Sequence, residues 1–360
     1  MTEAALAAAP LRRFQLSPIA RAQWRRFRSI KRGYYSALVL AALVMVACAA
    51  ELLVNSRALV VHYRGNTYFP TYGAFIPGRT FGLDYDYETN YRDLAKTFAT
   101  ANSGDWVVLP LVPYGQYETD LREHVYPPYP PSSADRHYLG TDTTGRDMVA
   151  RLLYGFRIAI AFSAFLLVCN YVIGVAIGCA MGFWGGAFDL LFQRVIEVWS
   201  NVPYLYVIMI IASIMVPSFW TLAAVMVLFN WMNMTWYLRT STYKEKARDY
   251  VLAAQALGAS SGRIIARHIL PNTISVLVTF LPFSIAGGIT ALTALDYLGF
   301  GLRPPTPSWG ELLDEGTARL ESPWIVTSVV AAMVVVLLAV TYVGEAIREA
   351  FDPKKFTYYE

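Results

Sequence analysis

Long apolar stretches alternate with charged segments along this chain. A helix needs roughly 20 predominantly apolar residues to cross the hydrocarbon core of a bilayer. Stretches of that length, with at most one charged residue inside, are Tyr34–Val54, Arg157–Asp189, His268–Asp296 and Trp324–Gly344. They predict four membrane-spanning helices.

A fifth uncharged stretch lies between Glu197 and Arg239 and is about twice as long as one span requires. The sequence PSFW at Pro217–Trp220 interrupts it with a turn signal. This pattern predicts two further helices joined by a tight hairpin. The chain is therefore predicted to be an all-α membrane protein with six transmembrane helices.

A hydrophilic, tyrosine-rich block of residues 55–137 separates the first two predicted spans. Within it, WVVLP at Trp106–Pro110 predicts a short strand, and Asn90–Thr100 has the pattern of a short amphipathic helix. The block ends in YPPYPPSS, which is typical of a stiff, extended linker. We interpret the block as a small domain inserted outside the membrane.

Two polar motifs border the apolar core. TDTTGRD at Thr141–Asp147 predicts a turn and a helix capped by Asp142 or Thr143. RPPTPSWG at Arg303–Gly310 predicts a rigid connector.

Composition agrees with a membrane protein, because 56% of the residues are hydrophobic and only 16% are charged.

Orientation follows from the basic residues, which cluster in cytoplasmic flanks. Those before Gly33 are Arg12, Arg13, Arg21, Arg25, Arg26, Arg28, Lys31 and Arg32. The N-terminus is therefore predicted to be cytoplasmic, and six spans place the C-terminus there too. The net charge of +4 is explained by these flanks, so no nucleic-acid partner is expected.

The predicted organisation follows directly from these spans. It is a basic cytoplasmic segment (1–33), a first transmembrane helix (34–54), an external insertion (55–137), a membrane core with helices 2 to 6 and a cytoplasmic loop at 241–272 (138–350), and a cytoplasmic tail (351–360).

No catalytic constellation is found in the sequence. The histidines show no pair at helical metal-ligand spacing, so no metal site is expected. No lysine follows a glycine, which excludes the phosphate-binding loop of an ATPase. The acids near the spans, Glu197, Asp296 and Glu345, fall at helix ends, which disfavours a proton-coupled transporter. Arg194 precedes Glu197 by three residues and predicts an ion pair.

The loop 241–272 has a pattern of its own. Lys244–Leu257 predicts one helix with Tyr250, Ala254 and Leu257 on the same face. Gly258 ends it, Ser260 or Ser261 caps a second short helix through Ile269, and Pro271 begins the next span. Two interpretations remain open: an amphipathic hairpin on anionic lipid, and a docking element whose small residues allow close backbone approach.

The spacing of this loop resembles a known one. Ala253-Ala254, three residues, Gly258, nine residues and then HILP resemble the EAA loop of ABC importer permeases. In that family the loop seats in a groove of the cytoplasmic ATPase. Leu252 stands where that family usually has Glu, so a salt link from that position is not expected. The resemblance implies an ATPase-coupling site formed by Tyr250, Ala253, Ala254, Leu257, Gly258, Ala259, Arg267, His268 and Pro271.

Three further segments, at Leu139–Ser163, Phe192–Leu205 and Asp296–Gly316, resemble the dipeptide/oligopeptide permease family. The tyrosine-rich block is similar to the Yej-type subgroup, which imports oligopeptides and peptide antibiotics of the microcin C kind. The resemblance implies a type I ABC importer permease fold in the bacterial inner membrane, and a peptide substrate. Its implied partners are a second homologous permease, cytoplasmic ATPase subunits or one fused double ATPase, a periplasmic substrate-binding protein and the lipid bilayer.

ATP and Mg are then expected on the partner ATPase, with no cofactor in this chain. The alternatives are a secondary, proton-coupled peptide transporter and an ABC permease for a solute such as nickel.

Overall fold

The computed structural model describes residues 18–101 and 104–351. Four helical segments in it are long and apolar enough to cross a membrane. They are α2 (Lys31–Cys48), α5 (Met148–Trp184), the continuous segment Ser261–Tyr297 and α13 (Pro323–Phe351). The shorter helices along the chain are α1 (Pro18–Ser29), α3 (Ala50–Leu53), α4 (Tyr91–Ala101), α6 (Gly186–Ser200), α7 (Tyr204–Ile214), α9 (Asp249–Ala256) and α12 (Trp309–Ala318). The predicted tail and the first half of the basic N-terminal segment lie outside the described residues.

The predicted double span is less regular than expected. α6 and α7 form a pair bent by 59° at a short break, and they count as a fifth candidate span only if taken together. Pro203 stands at the break and cannot donate the backbone hydrogen bond that a continuous helix needs. The predicted hairpin is confirmed, because α8 (Phe219–Lys246) begins after Ser218, whose side chain accepts a hydrogen bond from the Thr221 amide.

α8 is long enough for a sixth span, but it is not among the apolar candidates in the described residues. Asn230 and Asn233 interrupt its apolar sequence, and its last turn is charged. The structure therefore shows four or five candidate spans where the sequence predicts six.

Two helix boundaries differ from the sequence prediction. The first span is broken at Ala49, where α2 ends and α3 begins. α5 starts nine residues before Arg157, and its cap is Asp147, which accepts a hydrogen bond from the Ala150 amide at 2.9 Å. The prediction of Asp142 or Thr143 as the cap is wrong, because the Asp142 carboxylate instead accepts hydrogen bonds within its own turn, including one from Arg146 N.

The close packing of α5 on α8 rests on three glycines. Gly174, Gly178 and Gly182 follow one another at intervals of one helical turn along α5. A Cβ at Gly178 would lie 2.5 Å from the carbonyl oxygen of Thr235, and one at Gly182 would lie 2.6 Å from that of Arg239. Small residues at every fourth position let two helix backbones approach this closely.

The N- and C-terminal helices meet at one end of the bundle. Phe27 of α1 packs with Ala346 and Ala350 near the end of α13. Gly33, in the first turn of α2, is so close to α13 that a Cβ there would lie 2.0 Å from Cβ of Ala346. The two described ends of the chain are therefore on the same side of the bundle.

The inserted block contains β structure, so the chain is not all-α. Strands β1 (Val60–Tyr63), β2 (Asn66–Tyr68) and β3 (Trp106–Val108) form an antiparallel sheet in the order β2-β1-β3. The strand at Trp106 and the helix α4 lie where the sequence predicted a strand and a helix. The helical prediction for the chain as a whole missed β1 and β2, because each is too short to show a clear alternation. Helix α4 packs Leu94 and Phe98 against the sheet in a small apolar core.

A buried charge cluster joins the start of α5 to α12 at the opposite end from the termini. Its members are Asp142, Arg146, Arg151, Glu311 and Glu315. Arg146 bonds to Asp142 at 2.5 Å, Glu311 pairs with both arginines, and Arg151 is fully buried. Burial, and then the nearby Asp142 carboxylate, raise the pKa of Glu315 above its ordinary value. The cluster fixes α12 against α5 through pairs of opposite charge.

Replacing Gly178 by alanine is expected to lower the thermal unfolding midpoint of the chain purified in detergent. Alanine is favoured over glycine inside a helix by about 1 kcal/mol. The new Cβ would nevertheless press on the α8 backbone, and such overpacking costs about 1–3 kcal/mol. Gly287→Ala in the segment Ser261–Tyr297 is the matched control, because no atom lies within 4 Å of the added Cβ. An equal change in both variants would show that the glycine contact does not hold the helices together.

Glu311→Gln is expected to destabilise the chain strongly, because Arg146 and the buried Arg151 both lose an ionic partner. Removing one partner of a buried ion pair costs about 3–5 kcal/mol. Glu321→Gln, at an exposed position between α12 and α13, is the control and is expected to leave the unfolding midpoint unchanged. Equal midpoints for the Glu311 variant and wild type would contradict a stabilising role of the cluster.

Candidate functional site

The segment 241–272 folds as a bent connection between two long helices. α8 extends into it as far as Lys246, and α9 then begins at Asp249. The predicted single helix over Lys244–Leu257 is thus wrong, because the chain turns at Ala247 and Arg248. α9 ends at Ala256, close to the predicted stop.

The second predicted short helix does not end at Ile269. α10 (Ser261–Ile264) runs through a π-helical turn at Ile265–Ile269 into α11 (Leu270–Tyr297) without a break. Pro271 lies in the first turn of α11 and has no N–H to donate. A widened π turn just before it accommodates this missing bond, so the helix continues where the sequence predicted a fresh start.

Gly258 ends α9 in the way the sequence predicted. Its φ of +77° lies in the left-handed region, which favours glycine. The amide of Gly258 donates to the carbonyl of Gln255, and the amide of Ala259 donates to that of Ala254. These two bonds form a Schellman motif, which satisfies the last carbonyls of the helix. A Cβ at Gly258 would meet no atom within 4 Å. Glycine is therefore favoured at this position by the backbone conformation and not by a lack of space.

The three residues predicted to share one helix face do not share one environment. Val251 and Ala254 are buried against Phe183, Ile264 and Ile269. Leu257, predicted on the same face as Ala254, is 88% exposed, and Tyr250 is also exposed. The predicted stripe is wrong because α9 ends at Ala256, before Leu257, and because Val251 rather than Tyr250 packs inward beside Ala254.

Polar contacts hold the segment against the ends of three long helices. Lys246 Nζ donates to the carbonyl oxygen of Phe183 at 2.5 Å, close to the end of α5. The Tyr250 hydroxyl donates to Glu245 Oε2 at 2.5 Å and accepts from Asn272 Nδ2 at 3.2 Å. Burial, and then the bond to Glu245, raise the pKa of Tyr250 to about 12. The hydroxyl therefore stays protonated near neutral pH and keeps donating this bond.

A charged cluster that sequence reasoning missed stabilises the neighbouring helix ends. Arg239 of α8 donates to both carboxylate oxygens of Asp189 in α6, at 2.6 and 2.7 Å. The Tyr243 hydroxyl donates to the same carboxylate at 3.0 Å. The predicted ion pair between Arg194 and Glu197, in the same helix α6, is confirmed at 2.5 Å.

The outer surface of the segment is apolar and small, with a basic rim. Leu252, Ala253 and Ala256 are exposed on α9, and Leu257 and Gly258 are exposed after it. The rim consists of exposed arginines at Arg248, Arg263 and Arg267. Of the remaining predicted site residues, Pro271 is exposed, whereas Ala259 and His268 are partly buried. Chemically, this surface suits a protein groove or anionic lipid.

A second feature is a cleft of about 510 Å³ between α5, α8 and α11. Its polar side chains include Asn170, Tyr171, Asn230, Asn233, Tyr237 and Ser284. The sequence analysis assigned no pathway, although asparagines at positions i and i+3 inside an apolar stretch were a usable signal. Within residues 18–101 and 104–351 no group of three His, Cys, Asp or Glu side chains is arranged to hold a metal.

Comparison with known proteins places these features in context. Residues 174–357 match the family model described as binding-protein-dependent transport system inner membrane component. The chain is 39% identical to the inner membrane ABC transporter permease protein YejE of Escherichia coli K12, over 95% of this chain and 99% of that protein. It is 35% identical to the peptidoglycan transport system permease protein YejE of Agrobacterium fabrum C58, over 94% of each.

A more distant relative is the dipeptide transport system permease protein DppC of Bacillus subtilis 168, 31% identical over 68% of this chain and 75% of that protein. Among solved structures, a chain of the MetNI methionine ABC transporter in an inward-facing conformation covers 57% of this chain and 98% of its own length. Its identity is 13% and its TM-score is 0.46.

Proposed function

The chain belongs to the family of binding-protein-dependent transport system inner membrane components, and on that premise we propose that it carries peptides across the membrane as one permease subunit of an ABC importer. The observation that carries the family assignment is the 39% identity to an inner membrane ABC permease over nearly the whole of both chains. The resemblance to the peptide permeases, including the Yej-type subgroup, is confirmed by these relatives. The peptide substrate is supported by the names of relatives that carry dipeptides or peptidoglycan.

Multiple apolar helices and the inner-membrane relatives make this a multi-pass inner-membrane protein. Within it we assign six spans, with the α6–α7 pair as the third and α8 as the fourth. Support for α8 comes from its close packing along α5, which is itself a candidate span. Six spans place both termini on the cytoplasmic side, in agreement with the meeting of α1 and α13 at one end. The inserted sheet domain, residues 55–137, then lies in the periplasm.

The segment 241–272 is the coupling site in this proposal. Its exposed face on α9 and the glycine turn would seat in a groove of a cytoplasmic ATPase. The bonds from Lys246 and Tyr250 support this role, since they tie the segment to the ends of α5, α8 and α11. ATP and Mg would be held by that ATPase, either one fused chain or two. A second homologous permease and a periplasmic binding protein complete the transporter.

The two rival functions have less support. A secondary peptide transporter needs no ATPase and would leave the exposed apolar face of α9 without a partner. A nickel permease would also be an ABC permease, but two relatives of this chain are named for the transport of peptidoglycan and of dipeptides. Uptake that survives ATP depletion and stops on collapse of the proton gradient would favour the secondary transporter.

Leu257→Asp is expected to release the ATPase from the purified complex and to reduce ATP-dependent peptide uptake into membrane vesicles. Burying a leucine side chain contributes about 1.5–3 kcal/mol, so association should weaken by about tenfold or more. The side chain is 88% exposed in this chain, so folding should be unaffected.

The control is Leu320→Asp, because Leu320 is 73% exposed and lies in the connection between α12 and α13, away from the segment. This variant should retain the ATPase and transport normally. If Leu257→Asp kept the full amount of ATPase and normal uptake, the docking role of the segment would be wrong.

Deleting residues 60–109 tests the inserted domain. The ends to be joined are close, because the Leu59 amide donates to the Val108 carbonyl at 2.9 Å. The exposed aromatic residues of the deleted stretch include Tyr72, Phe75 and Tyr87, which suit contact with the binding protein or the second permease. We expect membrane insertion and bound ATPase to persist while uptake falls to near background. Normal uptake by the deletion variant would rule out this contact role.

A further inference from the structure

The cleft between α5, α8 and α11 has polar groups at the depth where a membrane helix is usually most apolar. Asn170, Asn230, Asn233 and Ser284 each lie in the middle third of their helix. Polar residues at this depth are expensive and mark pathways for solutes. The cleft is therefore a candidate for contact with whatever crosses the membrane.

The chemistry of the cleft is polar without being charged. None of the described residues that line it is Asp, Glu, Lys, Arg or His. Each asparagine amide offers two N–H donors and an acceptor oxygen, and the hydroxyls of Tyr171, Tyr237 and Ser284 can do both. This set complements the N–H and C=O groups of a peptide backbone, which needs donors and acceptors together.

Several of these groups have hydrogen-bonding capacity left over. Oδ1 of Asn170 is buried and has no hydrogen-bond partner among the described residues. In that same part of the chain, no hydrogen bond is formed by the side-chain amides of Asn230, which is partly buried, and Asn233, which is exposed. Buried polar groups are satisfied in most native structures, so the unpaired oxygen of Asn170 requires an explanation such as a ligand.

The third wall leaves space for a chain. Four of the α11 residues that line the cleft are small, namely Ser284, Gly287, Gly288 and Ala291, and the other two are Phe280 and Phe283. A Cβ at Gly287 would meet nothing within 4 Å, so this glycine is not required for packing against another helix of the chain. The cleft volume falls within the roughly 300–1,000 Å³ typical of sites for ligands of drug size, which is also the size of a short peptide.

We propose that this cleft contacts the backbone amides of a peptide in transit, through Asn170, Asn230, Asn233 and Tyr237. The inference rests on the proposed peptide transport and specifies how it is achieved. Backbone amides are common to all peptides, so this recognition is independent of side-chain sequence. The lack of fixed charges in the cleft avoids a strong ion pair with either peptide terminus, which would delay release.

The test compares uptake of trialanine with uptake of its analogue methylated at both peptide nitrogens. Both peptides have the same length and charge, but the analogue lacks the two backbone donors. The complete transporter, with its ATPase, second permease and binding protein, is reconstituted in vesicles with wild-type chain or with Asn230→Leu/Asn233→Leu. Leucine has the same branched arrangement of non-hydrogen side-chain atoms as asparagine, although it is larger, and it cannot form hydrogen bonds.

The double variant is expected to reduce trialanine uptake by about tenfold, which corresponds to about 1.4 kcal/mol. Uptake of the methylated analogue should change little, so the ratio of the two uptake rates should fall. The binding protein also encounters both peptides, but it is identical in the two preparations and cannot change this ratio. Thr290→Val is the control, since Thr290 is exposed on α11 and does not line the cleft, and it should leave the ratio unchanged.

Tyr237→Phe provides a second variant in case the double one does not assemble. It removes one hydroxyl and retains the ring, which stacks on Phe280 at 4.1 Å between centroids. A several-fold loss specific to trialanine is expected. An unchanged ratio in an assembled variant would overturn the cleft proposal while leaving peptide transport intact. Absence of ATP-dependent trialanine uptake by the wild-type transporter would instead contradict the proposed function itself.

Discussion

The backbone contact between α5 and α8 is the constraint on which most of the structure depends. Three glycines bring the two helices so close that side chains cannot fit between them. This contact places Lys246, at the end of α8, within reach of the carbonyl of Phe183 at the end of α5. It also sets two of the three walls of the cleft. One seam on α5 thereby positions both the coupling segment and the cleft.

Continuity of the helices connects these two sites. α8 carries Asn230 and Asn233 in the cleft and reaches Lys246 at the segment without a break. On the other side, α10 continues through the π turn into α11, which carries Ser284. A displacement of α9, such as the proposed ATPase docking would cause, would therefore act on two walls of the cleft through these helices. Such coupling needs an element with two arrangements. Two irregularities lie within the segment Ser261–Tyr297, the π turn before Pro271 and the interior Pro282 of α11.

The charges are placed where the membrane permits them. Asp189 pairs with Arg239 near the end that carries the coupling segment, and the α5–α12 cluster lies at the other end. An ionised group in the apolar middle would incur a large desolvation cost, so fixed ion pairs at the two ends hold the bundle and neutral amides line the cleft. Neutral groups in the cleft also suit the proposed pathway, which must release what it binds, because neutral hydrogen bonds are individually weak.

The sequence determined those features that depend on neighbours along the chain. Apolar length predicts the long helices, Ser218 caps α8 after the predicted hairpin, and Gly258 ends α9 because its left-handed conformation is a local requirement. The family motifs are local as well, and the family that they indicate is confirmed by the relatives.

Tertiary structure decided which faces and ends meet. The turn at residues 247–248 and the contact with Phe183 and Ile269 bury Val251 and not Tyr250 or Leu257. Asp147 rather than Asp142 caps α5, since the Asp142 carboxylate is held by Arg146 in the α5–α12 cluster. The cleft exists only because α5, α8 and α11 converge. These outcomes depend on partners far apart in the chain, and hydrophobic periodicity reports burial along one helix without identifying what that helix packs against.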